Sequence, residues 1–514
     1  MEPLLMGVDI GTTNIKALAV TLRGDTAALA SEAIDTAYPA KDRIEQDPEQ
    51  IWEKYCAAVR RAADSAGAER IAGLCTDSNR CGLILADEEY RPLTRNMTWQ
   101  DFRCTSQVER FAARHPEIDV YRITGEDALP QHTAFKILWC KEEIPELWEK
   151  CRHIFFSPAD YISFKLLGRH IASKSIAQST GLLDINTLCY SETMLRAVGV
   201  SREMLPELCD STQIIGKLGE DRAAALGLCP GLPVVGGVCD ATASQIGSGA
   251  VEEGLFTVSI GTCSAVRTYC REPIYAQDKF SQIRVIAPFG YVPSCTVTDA
   301  GSVLKWFQSN FCADLLRSAA ETGADVYEYI DREAEKVAPG AEGLILLPYF
   351  TGASYAVKDA TTFGVFAGIR NYHTRAHFAR SIMEGVAFSL RAVLDSFREN
   401  GFAIQKARFV GGGTKSKLWS QILADVLGVE AQIPNCGEAA ALGSAVIASV
   451  GLKYNETLSE AVEKMVSFSA GYVPQPQTKR IYDNTYTLYR ELFAQMKGFY
   501  KRHAELTATE KPDR

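Results

Sequence analysis

The pentapeptide Val8-Asp9-Ile10-Gly11-Thr12 returns with one change as Val258-Ser259-Ile260-Gly261-Thr262, about halfway along a chain of 514 residues. Each copy closes an apolar strand, makes a Gly-Thr turn and re-enters a strand (15–22 and 265–269). A motif that recurs at half the chain length points to duplication of one supersecondary unit. The length agrees, since one domain takes roughly 100–200 residues. Gly247, Ser248 and Gly249 supply a junction near 245–255, which divides the chain into 1–248 and 249–514.

Between these landmarks strands and helices alternate, the pattern of an α/β fold. Asp47-Pro48-Glu49-Gln50 reads as a helix start, with Asp47 as N-cap, Pro48 at the first helical position and Gln50 completing a capping box. Ile51, Tyr55, Ala58, Val59 and Ala62 follow at helical spacing, Gly67 ends the helix, and 71–75 reads as a strand. The last ten residues are expected to fray.

Composition closes off several classes. A hydrophobic fraction of 46% and a charged fraction of 23% exclude a disordered or low-complexity chain. With 54 basic against 63 acidic residues the net charge is −9, so no basic face for nucleic acid is expected. No apolar run reaches the roughly 18–20 residues of a membrane span. The start, MEPLLMGVDIG, lacks the basic flank and cleavage site of a signal peptide. The 15 cysteines are odd in number and contain no CxxC pair, which suits free thiols in a reducing cytoplasm and disfavours structural zinc.

The residues that carry chemistry leave alternatives open when taken singly. A Gly-Thr turn offers backbone N–H groups and a hydroxyl to an anion, and it is also an ordinary hairpin turn. Asp9 beside such a turn would repel phosphate unless Mg²⁺ lay between them. Lys16 supplies charge there or is surface. Gly411-Gly412-Gly413-Thr414-Lys415-Ser416 fails the GxxxxGK[ST] spacing of a P-loop, and no GxGxxG occurs, so neither nucleotide motif applies. The triple glycine joins a strand (407–410) to a helix (418–427), a place for close approach of a ligand or for a plain tight connection. Asp240 ends the strand of Gly236-Gly237-Val238-Cys239, where helix capping is the first expectation and proton acceptance the second. His373 and His377 are four apart but lack the glutamate of a zinc helix.

Taken together, the segments resemble the FGGY carbohydrate kinases, within the actin-like superfold, over roughly residues 4–480. The matching stretches run in order: DIGTTNIK (9–16), EQDPEQIW (45–52), WQD (99–101), TAFKILW (133–139), SPADYISFKLLG (157–168), GGVCDATASQIG (236–247) and SIGTCSAV (259–266). GVFAGIRNYHTRAHFARSIME (364–384), GGGTKSKLWSQILADVLG (411–428) and GEAAALGSA (437–445) follow. The resemblance implies an α/β fold of two duplicated actin-like (ribonuclease H-like) domains with a central cleft. Domain 1–248 would bind sugar and 249–514 nucleotide. It implies an ATP- and Mg²⁺-dependent phosphotransferase acting on a sugar hydroxyl, with Asp240 as general base and Asp9 holding Mg²⁺ through water. Gly11, Thr12, Thr13, Lys16, Gly261 and Thr262 would cradle phosphates, and Gly301, Lys305, Gly412, Gly413 and Lys417 would meet the nucleotide. Asn79, Arg80 and Cys81 fall at the sugar-reading position, where xylulose kinases carry Gln-Met-His and glycerol kinases Gln-Arg-Glu. Trp99, Asp101, Gln131 and His132 are further expected lining. The favoured substrate is a ketopentose such as D-xylulose. Arg80 leaves room for gluconate or another polyol or acid sugar, and a non-catalytic actin-like sugar- or nucleotide-binding protein is the rival of a different class. The resemblance also implies a cytoplasmic protein, possible as a homodimer, with no nucleic-acid or membrane partner.

Overall fold

The computed structural model describes residues 2–276, 281–353 and 359–507. The expected frayed tail lies mostly outside these residues; its first three close the helix Pro476–Thr507. The chain forms two compact units. The first gathers Met1–Glu252, Tyr269–Pro293 and Asn435–Ser467; the second gathers Glu253–Thr268, Ser294–Pro434 and Phe468–Arg514.

The first unit is built on a six-stranded sheet. Its strands are β1 (Leu4–Ile10), β2 (Asn14–Thr21), β3 (Thr26–Ala33), β4 (Ile71–Ser78), β5 (Ile214–Lys217) and β6 (Pro233–Val235), in the order β5-β6-β4-β1-β2-β3. β1 is nearly all apolar and buried on both faces, as a central strand must be. At the edge, β3 alternates and buries only Ala28 and Ala30 on one side. Helix α1 (Pro48–Ala66) covers that side with Ile51, Tyr55, Ala58, Val59 and Ala62. Asp47 caps it by accepting from Glu49 N and Gln50 N. The expected capping box does not form. The Gln50 amide instead donates to Asp35 Oδ2 (2.7 Å) and accepts from Asp35 N (3.1 Å), because a glutamine can serve a neighbouring loop as readily as its own helix end.

The opposite face of the sheet carries α2 (Asp240–Gly247) and α3 (Ala439–Gly451). They pack closely because the contact is made of small residues. A Cβ on Gly7 would lie 1.9 Å from the carbonyl oxygen of Ala441, and one on Gly443 1.9 Å from that of Ala243. These glycines let a strand and two helices touch backbone to backbone.

The second unit repeats the plan. Its strands are β7 (Gly254–Ile260), β8 (Ser264–Thr268), β9 (Gly290–Val297, of which the last four residues belong here), β10 (Ile404–Val410), β11 (Glu430–Pro434) and β12 (Phe468–Tyr472). β9, β8 and β7 run antiparallel in turn, β10 and β11 add in parallel, and β12 returns antiparallel. The strands β3-β2-β1-β4-β6-β5 show the same series of senses. The pentapeptide echo thus marks equivalent hairpins. Gly11 N donates to Asn14 O in one turn and Gly261 N to Cys263 O in the other. The hairpins differ where chemistry matters: Asp9 faces Asp77 on β4, whereas Ser259 faces Val410 on β10.

Candidate active site

In the first unit three carboxyl groups gather at the end of the central strands. Asp9 and Asp77 hold matched positions on parallel β1 and β4. Asp77 is fully buried, and its Oδ2 accepts from Ser444 Oγ of α3 at 2.5 Å. Burial, followed by the adjacent Asp9 charge, holds the Asp77 carboxyl well above the ordinary range. Asp9 is pushed up to about 6 by burial and then by Asp240, against the opposing pull of Lys16. Lys16 lies opposite Asp9 in the hairpin and pairs with Glu438 (2.5 Å).

Asp240 is not the helix cap expected from its position. Cys239 occupies the N-cap site, and Asp240 is the first helical residue of α2, its Oδ1 accepting from Ala241 N at 2.6 Å. A bridge between Ser78 and Cys239 seats it just past the end of β4, within electrostatic range of Asp9. Strand-end glycines cause this: Gly237 has φ +79°, and a Cβ there would meet Thr76 O at 2.2 Å, so the chain turns sharply against β4 before α2 begins.

Beside these acids lies a buried polar cluster. Arg80 Nη1 pairs with Glu126 at 2.6 Å, and Glu126 also meets His132 Nε2 at 2.8 Å. Against its complete burial, Arg80 and then His132 hold Glu126 down to about 2. Arg80 Nη2 donates to Gln282 Oε1 (3.2 Å), and so does Nη2 of Arg284 (3.1 Å). Gln282 and Arg284 share one face of the strand Gln282–Ile286.

The other expected sugar-side residues divide. Trp99 is partly exposed, and its Nε1 donates to Thr12 Oγ1 (3.1 Å), which links the indole to the first Gly-Thr turn. Asn79 Nδ2 donates to the carbonyls of Ile10 and Gly11. Gln131 is half-buried. Cys81 is buried with φ +59°, and its thiol donates to Ser179 O, so the sulfur is used internally. Asp101 is also fully buried, with its carboxylate taken up by Arg103 and by Ile44 N. Lys136, buried as well, donates to the carbonyls of Cys81 (2.6 Å), Met97 (3.3 Å) and Thr98 (2.6 Å) and so pins the segments on either side of Arg80 and Trp99. Glu126, Lys136, Gln282 and Arg284 were not found from the sequence, because only the tertiary fold brings them to Arg80.

The second unit contains a cavity of about 340 Å³. Gly261, Thr262, Gly301, Lys305, Gly412 and Gly413 line it together. The Gly412–Lys415 turn and the helix Lys417–Leu427 contribute Lys415, Ser416 and Trp419 but not Lys417. Leu304, Tyr327 and Trp419 supply apolar surface and Asp331 an acid that burial pushes up to about 6. The glycines are required for close approach: a Cβ on Gly301 would lie 2.4 Å from Gly261 O, and one on Gly413 2.4 Å from Ile260 Cγ2. The Asp331 and Tyr327 side comes from the helix Val326–Ala334, whose sequence carries no ligand signature.

Among the described residues no helix is long and apolar enough to cross a membrane. None of the 15 cysteines is joined in a disulfide.

Comparison with known proteins adds the lineage. The N-terminal domain model of the FGGY family of carbohydrate kinases matches residues 4–247 and the C-terminal domain model residues 257–452. The gluconokinase of Bacillus subtilis (strain 168) is 26% identical over 507 residues, covering 98% of each chain. The xylulose kinase of the same organism is 28% identical over 499 residues, covering 96% of this chain and 97% of the relative. The solved ligand-bound xylulose kinase from Lactobacillus acidophilus superposes with a TM-score of 0.89 at 24% identity, over 98% of this chain and 100% of that one, a likeness of fold. With both halves matched in order over nearly its whole length, the chain belongs to the FGGY family of carbohydrate kinases.

Proposed function

We propose that this kinase transfers the γ-phosphoryl group of ATP to a hydroxyl of a small sugar or sugar acid, with Asp240 as the proton acceptor. The observation that carries this reading is the seat of Asp240: it opens α2 at the end of β4 and is not engaged as the cap. A carboxylate of reference pKa about 3.9 is a weak base at neutral pH. It suffices here, because phosphoryl transfer is loose and depends on alignment and charge compensation more than on proton removal.

The second unit's cavity suits the nucleotide. Its apolar side fits a base, its glycine turns let a ligand approach the backbone closely, and Lys305 and Lys415 offer positive charge. Among the described residues no group of three or more His, Cys, Asp or Glu is arranged to hold an ion. Mg²⁺ brought in with the nucleotide keeps several waters and needs only one or two carboxylates beside substrate phosphates. Asp9 is the residue to hold it, in surroundings where Asp240 and Glu438 outweigh Lys16. When bound, Mg²⁺ supplies neutralisation of phosphate charge.

The names of the relatives support two substrate readings, a ketopentose such as D-xylulose and gluconate or a related polyol or acid sugar. The unpaired thiols accord with a cytoplasmic location, and a homodimer accords with the family resemblance. ADP release with Mg-ATP, measured across D-xylulose, L-xylulose, D-ribulose, L-ribulose, gluconate, glycerol, erythritol and a sugar-free blank, tests the reading. One strong responder is expected. ATP binding with no sugar-stimulated release would instead favour a sugar- or nucleotide-binding protein without transfer activity.

A further inference from the structure

Arg284 is an unusual tenant of its strand. Its neighbours Ile283, Val285 and Ile286 are apolar and buried, and Arg284 itself is only 5% exposed. A guanidinium stays charged even here and has five N–H donors to satisfy. One hydrogen bond serves them, from Nη2 to Gln282 Oε1. Nε and Nη1 are both buried and have no hydrogen-bond partner. Each edge of the planar group, the Nε/Nη2 side and the Nη1/Nη2 end, therefore has a donor awaiting an acceptor.

The surroundings do not meet this demand. The buried acid Glu126, which acts on Arg284 electrostatically, is already held by Arg80 and His132. Arg80 lies close enough for both guanidiniums to donate to the same amide oxygen, so two like charges meet across Gln282. Asp240 acts on both arginines electrostatically and sits on α2, against which the strand Gln282–Ile286 packs. Arg284 with its open donors, and Arg80 beside it, thus stand within electrostatic range of the carboxylate assigned to the reacting hydroxyl.

The chemistry of the missing group follows from the donor set. A sugar hydroxyl would bring an acceptor and also a proton, and neither guanidinium accepts protons. A carboxylate brings acceptor oxygens alone, carries the compensating charge and matches the planar fork. We infer that Arg284, together with Arg80, receives a carboxylate of the substrate, so that the compound phosphorylated by this kinase is a sugar acid and Arg284 sets that choice. The inference rests on the reading of the first unit as the sugar-binding half of a kinase.

Matched pairs that differ only in the carboxylate test it: D-gluconate with D-glucitol, and D-xylonate with xylitol, alongside D-xylulose. Binding to the full-length protein is measured by calorimetry without nucleotide, and ADP release with Mg-ATP is measured separately. At least one acid is expected to bind roughly 10- to 100-fold more tightly than its alditol, the range for hydrogen bonds to a charged group. Arg284→Met should bring that ratio to within about threefold. Arg284→Lys, which keeps the charge and loses the fork, should retain part of the preference and serves if the Met variant does not fold. Equal or tighter binding of the neutral partners, absence of binding by any acid, or an unchanged ratio in Arg284→Lys and Arg284→Met would overturn the inference. Strong ADP release with D-xylulose alone would overturn it and leave the kinase standing. Selective acid binding without ADP release would uphold the carboxylate site and remove the kinase reading instead.

Discussion

Asp77 stands directly opposite Asp9 on a parallel neighbouring strand, and its outer oxygen is held by Ser444 from a helix nearly 370 residues further along the chain. Both carboxyls have pKa values above those of the unfolded chain. The folded state therefore binds more protons than the unfolded state between the two values, and this contribution to stability falls as pH rises. For Asp9 the window runs from about 4, its ordinary value, to about 6. Asp9→Asn should flatten the decline of the thermal midpoint across that window. Activity should move the other way, since Asp9 must be ionised to attract a cation: kcat/KM should drop as pH falls through about 6. A pH series of melting curves and initial rates for the parent and Asp9→Asn checks both signs.

Removal of the proton acceptor at Asp240 should be selective. Asp240→Asn keeps the shape of the first turn of α2 and should lower kcat by roughly 10²- to 10⁴-fold, the range for loss of a general base. Calorimetric titration with the sugar should still give binding near the parent value. Turnover close to that of the parent would remove Asp240 from the role.

Lys136 is a positioning residue, since it touches three backbone carbonyls and nothing that reacts. In Lys136→Met these carbonyls remain buried without a donor, at a cost of roughly 2–4 kcal/mol of stability. The segments bearing Arg80 and Trp99 should loosen. KM for sugar is then expected to rise more than kcat falls, with KM for ATP unaltered. An equal loss in both parameters would indicate general damage.

Gly301→Ala addresses the second unit alone. The new methyl meets a backbone oxygen at 2.4 Å, so either the Gly261 turn or the start of the helix Gly301–Phe311 must shift. Overpacking of this sort costs roughly 1–3 kcal/mol. A weakening of ATP binding by about tenfold or more is expected in a fluorescent-nucleotide titration, with sugar binding preserved.

Much of this architecture is written locally. The five-residue echo marks two hairpins with the same strand partners and senses, and the helical spacing of Ile51, Tyr55, Ala58 and Val59 is the buried face of α1. The glycine-flanked turns that line the second unit's cavity are visible because close backbone approach demands that residue type. Side chains that act at a distance are not. Gln50 serves Asp35 in place of its own helix end, and Asp240 leaves the capping position to Cys239. Cys81 and Asp101 lie in promising stretches, yet the fold turns both inward. Glu126 meets Arg80 within Met1–Glu252, and Gln282 and Arg284 become neighbours of Arg80 only when Tyr269–Pro293 joins the first unit, pairings that no spacing along the chain announces.

The backbone contact of Gly7 and Gly443 with α3 and α2 has a consequence for how such genes recombine. Asn435–Ser467 lies far along the chain from Met1–Glu252 but completes the first unit. A single crossover at the midpoint would set a foreign α3 against the resident β1, where the carbonyl of Ala441 leaves no room for even one methyl group. Viable chimaeras between relatives are expected to exchange three segments at once, or to come from parents that agree at Gly7, Gly247 and Gly443. A gene split once at its centre would yield two fragments, neither of them self-sufficient.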